Sequence, residues 1–115
     1  MAALTTQRIV HAGTKPTFTA AAASDTAEVG TGLNTFVVYK NTDAAARTVT
    51  VTLPVTGTVY TEATPATVTF TLAANTGEVW IPLHSDYAGA DGRAALSISA
   101  TANVTVAVIR ADWTL

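Results

Sequence analysis

The sequence predicts an all-β fold, an antiparallel β-sandwich of about eight strands that is Ig-like or jelly-roll-like. Hydrophobic residues make up 49% of the chain and charged residues only 12%. Threonine fills many of the polar positions, and the β-branched side chains of Thr and Val favour a pleated strand. A chain of 115 residues fits one domain with one core. Because the chain has no cysteine, packing must stabilise that core without disulfides.

Alternation of apolar and polar residues marks the clearest strands. It runs through residues 48–53, 67–72 and 104–108, and it predicts strands with one buried and one exposed face. Residues 35–40 are instead apolar at consecutive positions. This pattern predicts a central strand covered on both faces, either by the core and the chain's own N-terminal arm or by a partner. Shorter strands are expected at residues 5–10, 17–21, 78–82 and 95–100.

The segments between these strands predict the organisation of the chain. Residues 1–16, which end at Pro16, are expected to form an extended N-terminal arm, and residues 17–115 the sandwich domain. The Ala-rich run before Ser24 is too short for a helix, so residues 20–26 are expected to be a strand end followed by a loop. Residues 99–103 are expected to link two strands as a hairpin.

The sequence carries no recognisable catalytic, cofactor-binding or metal-binding constellation, so an enzyme is not expected. Histidines occur at positions 11 and 84, and neither stands in a motif that would orient it as a base. The neighbours Ser85 and Asp86 do not make a triad of His84, because adjacent residues rarely converge their side chains. Asp86 and Asp91 lack the spacing of a calcium loop, and residues 30–32 lack the Lys of a phosphate loop.

Charge and hydropathy exclude two classes of partner. The net charge is -2, and the six basic residues are scattered, so the electrostatic footprint of a nucleic-acid-binding protein is missing. No apolar run reaches the roughly 18 residues that a membrane-spanning helix needs. Lys40, Asp43 and Arg47 are expected to form a surface polar cluster at the end of a hairpin.

The aromatic residues and the two termini suggest where a partner binds. Trp80 is predicted to lie in the core, whereas Trp113, close to the end of the sequence, is a candidate interface residue. The arm and the C-terminal residues together give the predicted partner-binding set: Leu4, Ile9, Val10, His11, Trp113 and Leu115. An alternative is a carbohydrate-binding or adhesion module in which loop residues Tyr60 and Tyr87 stack on sugar rings.

Four segments carry a family resemblance: FVVYKNTD at 36–43, RTVTV at 47–51, DGR at 91–93 and VTVAVIR at 104–110. Through them the chain resembles the small capsid decoration, or cement, proteins of tailed bacteriophages, especially phages of actinobacteria. The resemblance implies a non-enzymatic β-sandwich that binds the major capsid protein on the outer surface of the assembled head. It also implies a homo-oligomer, commonly a trimer, that reinforces contacts between capsid subunits.

Overall fold

A computed structural model describes residues 2–10, 12–29, 34–52, 67–83, 87–89 and 92–111. Within these ranges the chain forms ten strands and no α-helix, which confirms the predicted all-β class. The strands are β1 Ala2–Ala3, β2 Thr6–Arg8, β3 Thr19–Ala20, β4 Ser24–Glu28, β5 Thr35–Asn41, β6 Arg47–Thr52, β7 Thr67–Leu72, β8 Gly77–Pro82, β9 Arg93–Ile98 and β10 Val104–Arg110.

Eight of these strands pair as one long hairpin folded over on itself. β6 pairs with β7, β5 with β8, β4 with β9 and β3 with β10, and each pair is antiparallel. Two further antiparallel ladders, β6 with β9 and β5 with β10, join the pairs into two sheets. Sheet I has the order β1-β4-β9-β6-β7, and sheet II has the order β2-β10-β5-β8 with β3 also on β10. This nested pairing is a jelly roll, one of the two sandwich types that the sequence predicts.

The inter-sheet core follows from the alternation in the sequence. Val49 and Val51 of β6 point inward and are fully buried, as predicted, and Leu72 of β7 faces them. From sheet II the core receives Tyr39 of β5 and Ile81 of β8, both buried. Burial of these side chains provides the main free energy of folding, at roughly 2 kcal/mol for each large apolar side chain.

The N-terminal segment is paired with both sheets. β1 lies parallel to β4 at one edge of sheet I, and β2 lies parallel to β10 in sheet II. The chain crosses between the sheets at Leu4, whose N–H donates to the carbonyl of Thr26. The guanidinium of Arg93 donates to the carbonyls of both Leu4 and Thr26 and fixes the crossing. These contacts occupy backbone groups that an open sheet edge would leave unpaired.

The loop predicted after the Ala-rich run is wrong, because residues 24–28 form the strand β4. The polar run Ser24–Glu28 has little intrinsic preference for a strand. It pairs with β9 over five positions, from Ser24 with Ser97 to Glu28 with Arg93, and it buries Ala27 in the core. Tertiary pairing therefore overrides the local sequence here.

Four connections cross from one sheet to the other at the same end of the sandwich. One joins β3 to β4, and the other three, which share a hydrogen-bond network, join β5 to β6, β7 to β8 and β9 to β10. Residues 99–103 are therefore not the predicted hairpin, because β9 lies in sheet I and β10 in sheet II. Asn75 and Asn103 adopt positive φ in two of these connections, at 68° and 58°. Asn tolerates this left-handed conformation better than most residues with a side chain.

A buried amide joins two of these connections. The side chain of Asn41 is only 1% exposed. Its Nδ2 donates to the carbonyls of Ala45 and Ala73, at 3.0 and 3.1 Å, and its Oδ1 accepts from the N–H of Asp43 at 3.0 Å. Asn41 thus links the β5–β6 connection to the β7–β8 connection.

Asp43 extends this network to the third connection. Its carboxylate accepts from Nδ2 of Asn103 at 3.0 Å, and its carbonyl accepts from the N–H of Asn75 at 2.7 Å. It also forms an ion pair with Arg47 at 2.8 Å, as predicted, whereas Lys40 contacts Phe18 instead. The predicted hairpin is wrong here, because β5 and β6 lie in different sheets. The hydrogen bond from Asn103, the N–H of Ala45 and the charge of Arg47 lower the pKa of Asp43 below its ordinary value.

Replacing Asn41 with Ala should lower the free energy of unfolding by about 2 to 3 kcal/mol, because it removes three hydrogen bonds and leaves the carbonyl of Ala45 and the N–H of Asp43 without that partner. Urea unfolding followed by circular dichroism measures the change. Thr101→Ala, at an exposed position of the β9–β10 connection, is the control and should change stability by less than about 0.5 kcal/mol. Equal stabilities of the two variants would contradict the role of Asn41.

Asn103→Gly should raise the pKa of Asp43 toward the ordinary aspartate value, because it removes the hydrogen bond that contributes most to holding the pKa down. Glycine also accepts the positive φ at this position. Carboxyl ¹³C NMR measures the titration. Since the folded pKa is lowered, the carboxylate stabilises the fold above the unfolded pKa, and this is lost as pH falls through the folded pKa. The variant should therefore lose less stability on acidification than the original chain, and an unchanged Asp43 titration would contradict the assignment.

Candidate interaction surface on sheet II

The outer face of sheet II is built by the side chains that alternate with the core positions. Val37 and Tyr39 of β5 point into the core, so Phe36, Val38 and Lys40 point outward. The strand register places them in three rows across β10, β5 and β8: Ile109, Phe36 and Pro82; Ala107, Val38 and Trp80; Thr105, Lys40 and Glu78. Two rows are mainly apolar and the third is polar.

One part of this face is covered by the chain itself. Val38, Ala107 and Ile109 are buried and form a second apolar cluster, separate from the inter-sheet core. Ile9 and Phe18 of the N-terminal segment pack over them. The predicted solvent-exposed face of residues 104–108 is therefore wrong at Ala107. The double coverage predicted for the central strand β5 is confirmed at Val38, with the chain's own N-terminal segment as the cover.

The covering segment is held in place by hydrogen bonds. The side-chain amide of Gln7 pairs with the backbone of Thr17 in both directions, each bond at 2.8 Å. The N–H of Ile9 donates to the carbonyl of Arg110 at 2.8 Å, which extends the pairing of β2 with β10. The loop between β2 and β3 is thus closed at its base and rests on sheet II.

The other part of the face is exposed and aromatic. Trp80 is 52% exposed, so its predicted place in the core is wrong. Its neighbour Ile81 occupies the inward position of β8, and strand alternation turns Trp80 outward. The indole meets the ring of Phe36 edge to face, at 6.1 Å between centroids, and its Nε1 donates to Glu78 at 2.8 Å.

Charged groups border the exposed rings. The Nζ of Lys40 lies 4.2 Å from the ring centroid of Phe18, a cation–π contact. Lys40 and Glu78 are direct partners in the register of β5 and β8. We call Phe18, Phe36, Trp80, Lys40 and Glu78 the aromatic patch. It combines large apolar area with one cation and one anion, which suits adhesion and ring stacking.

The predicted partner-binding residues fall into three groups. Leu4 packs against the inter-sheet core and Ile9 against the second cluster, so both stabilise the fold. Val10 is 49% exposed and remains available for contact. His11, Trp113 and Leu115 lie outside the described residues. Alternation around Ile81 was the signal in the sequence that could have placed Trp80 on the surface.

The residues considered for other chemistry give no assembled site in the described part of the chain. Tyr87, one of the proposed sugar-stacking residues, packs against the inter-sheet core, and Tyr60 lies outside the described residues. Residues 30–32, 84–86 and 91 also lie outside them. Among the residues that the structure describes, no three His, Cys, Asp or Glu side chains come together as metal ligands. The described ranges also contain no helix that could cross a membrane.

The topology assigns the chain to the class of jelly-roll sandwiches, and the aromatic patch lies on the outer face of sheet II. No protein family model matches the sequence. A search of curated proteins and a search of solved structures likewise find no match.

Trp80→Ala should change the free energy of unfolding by less than about 1 kcal/mol, because the indole lies on the surface. Ile81→Ala, one residue further along β8, should cost about 3 kcal/mol, because its side chain is fully buried. Urea unfolding of the two variants compares neighbouring positions on opposite faces of one strand. A larger loss for Trp80→Ala than for Ile81→Ala would contradict the outward placement of the indole.

Proposed function

We propose that the chain is a capsid decoration protein, a non-catalytic module that binds the outer surface of an assembled phage head and reinforces contacts between major capsid subunits. The observation that carries the proposal is the aromatic patch, with Trp80 exposed beside Phe36 on a sheet face. The resemblance of segments 36–43 and 104–110 to decoration proteins supports it, because these segments form β5 and β10, the centre of the same sheet.

The geometry of the patch suits binding to a large rigid partner. Contacts with Phe36 and Glu78 hold the indole of Trp80 before binding, so little side-chain freedom is lost on docking. Trp is also among the residues that most often dominate the binding energy of an interface. The molecule measures 42 × 39 × 20 Å, a thin slab that can lie against a shell with one face.

Attachment to several subunits would strengthen weak individual contacts. A net charge of -2 provides little electrostatic attraction, so shape and apolar contact must provide most of the affinity. A trimer that reaches several capsid subunits gains effective concentration at each further contact. We therefore expect modest affinity for an isolated capsid subunit and tight binding to the assembled shell.

Cosedimentation with empty shells of the phage that encodes the chain tests this proposal. The unaltered chain should pellet with shells, and Trp80→Ala should weaken binding by about 30-fold, as expected for a hot-spot tryptophan. Thr69→Ala, on an exposed position of sheet I, is the control and should bind like the unaltered chain. Point substitutions are preferable to truncation of the arm, because residues 2–8 complete the edges of both sheets.

Two outcomes would contradict the proposal at different levels. If the unaltered chain does not pellet with shells, the decoration function is wrong. If Val10→Ala weakens binding and Trp80→Ala does not, the chain binds shells through the exposed part of its arm and not through the patch.

A carbohydrate-binding function is the second candidate, and the exposed indole of Trp80 favours it. An exposed tryptophan flanked by Glu78 and Lys40 offers a stacking surface together with hydrogen-bonding groups for sugar hydroxyls. A glycan array distinguishes the two functions. Hits that disappear in Trp80→Ala would support sugar binding through the patch. An array without hits would contradict the carbohydrate-binding function.

A further inference from the structure

A cavity of about 430 Å³ lies where the N-terminal segment crosses from sheet I to sheet II. Leu4 and Thr5 of the crossing line one side, and Val106 and Val108 of β10 line the other. Thr5 is exposed and stands at the rim, whereas the two valines are buried. This volume is within the range of pockets that hold small ligands, roughly 300 to 1,000 Å³.

Asp25 of β4 lines the same cavity and is only 2% exposed. Its Oδ2 accepts a hydrogen bond from the N–H of Ala22 at 3.1 Å. Its Oδ1 has no hydrogen-bond partner within the described residues. A buried carboxylate oxygen without a donor is unfavourable, so a group that donates to Oδ1 would stabilise the site.

The surroundings of Asp25 favour a positively charged donor. In the part of the chain that the structure describes, Asp25 makes no ion pair. Tyr39, which lies close by in the core, has the pKa of its phenol raised by burial and then by the charge of Asp25, so it stays neutral. Among the described residues that line the cavity there is no second carboxylate, so they do not form the ligand set of a divalent cation.

We propose that this cavity binds an ammonium group carried on an aliphatic stem. The ammonium donates to Oδ1 of Asp25, and the methylene groups of the stem lie against Leu4, Val106 and Val108. A carboxylate bonds a charged donor more strongly than a neutral one, and an apolar wall suits a chain of methylenes. A free alkylamine and the lysine side chain of a partner protein share this chemistry. The inference does not depend on the decoration function.

Titration of the full chain with pentylamine, followed by ¹H–¹⁵N NMR, tests the site. Saturable shifts are expected at the amides of Leu4 and Val106, with affinity in the millimolar range. 1-Pentanol has the same stem without the charge and should bind at least about ten-fold more weakly. Asp25→Asn should weaken pentylamine binding to a similar extent, because it keeps the shape and removes the charge. Glu28→Gln, which removes one negative charge from an exposed position of the same strand β4 outside the cavity lining, is the matched control and should bind normally.

Thr5→Phe provides a test that leaves Asp25 in place, because a bulky ring at the exposed rim should block entry and abolish the shifts. If Asp25→Asn does not fold, this variant and the comparison with pentanol still test whether the cavity binds an ammonium group. Equal binding of pentylamine and pentanol, unchanged binding in a folded Asp25→Asn, or no saturable shift would each overturn the proposal. Nα-acetyl-lysine methylamide separates the two sources. Binding as tight as that of pentylamine supports a partner's lysine, and binding of pentylamine alone supports a free amine.

Discussion

The buried amide of Asn41 is the interaction on which the arrangement of this jelly roll depends. The side chain of Asn41 is buried, and a buried amide must find hydrogen-bond partners. Asn41 finds them in two connections at once, through the carbonyls of Ala45 and Ala73. Asp43 adds the third connection through Asn103. These hydrogen bonds hold the three connections close to one another, next to the ends of β5, β8 and β10. The register of these paired strands then determines which side chains form the outer face of sheet II.

The N-terminal segment then decides which part of that face meets solvent. Ile9 and Phe18 cover Val38, Ala107 and Ile109, whereas Trp80 stays exposed and Phe36 half-buried. The crossing at Leu4 also closes one side of the Asp25 cavity. The aromatic patch and the cavity therefore both result from the path of this segment, although they offer different chemistry.

Features that depend on local periodicity, such as which side chains of a strand point inward, were predicted correctly from the sequence. Alternation placed Val49 and Val51 inward correctly, and the apolar run of β5 predicted coverage on both faces. The polar strand β4 was missed, because its pairing with β9 comes from the fold and not from its own residues. The connection at residues 99–103 was predicted to be a hairpin, because a short polar link has the same composition whether the next strand joins the same sheet or the other one. The aromatic patch could not be predicted from the sequence either, because Phe36 and Trp80 come into contact only through the pairing of β8 with β5.

The edge strand beside the aromatic patch carries features that oppose pairing with a strand of another chain. β8 stands at the end of the described order of sheet II, where a strand can recruit a strand of another chain. Pro82 ends β8 without an N–H to donate, and Glu78 places a charge near the other end. These features oppose growth of the sheet by backbone pairing. The proposed partner would therefore contact side chains on the broad face of sheet II, where Phe36 and Glu78 hold the indole of Trp80 in one position.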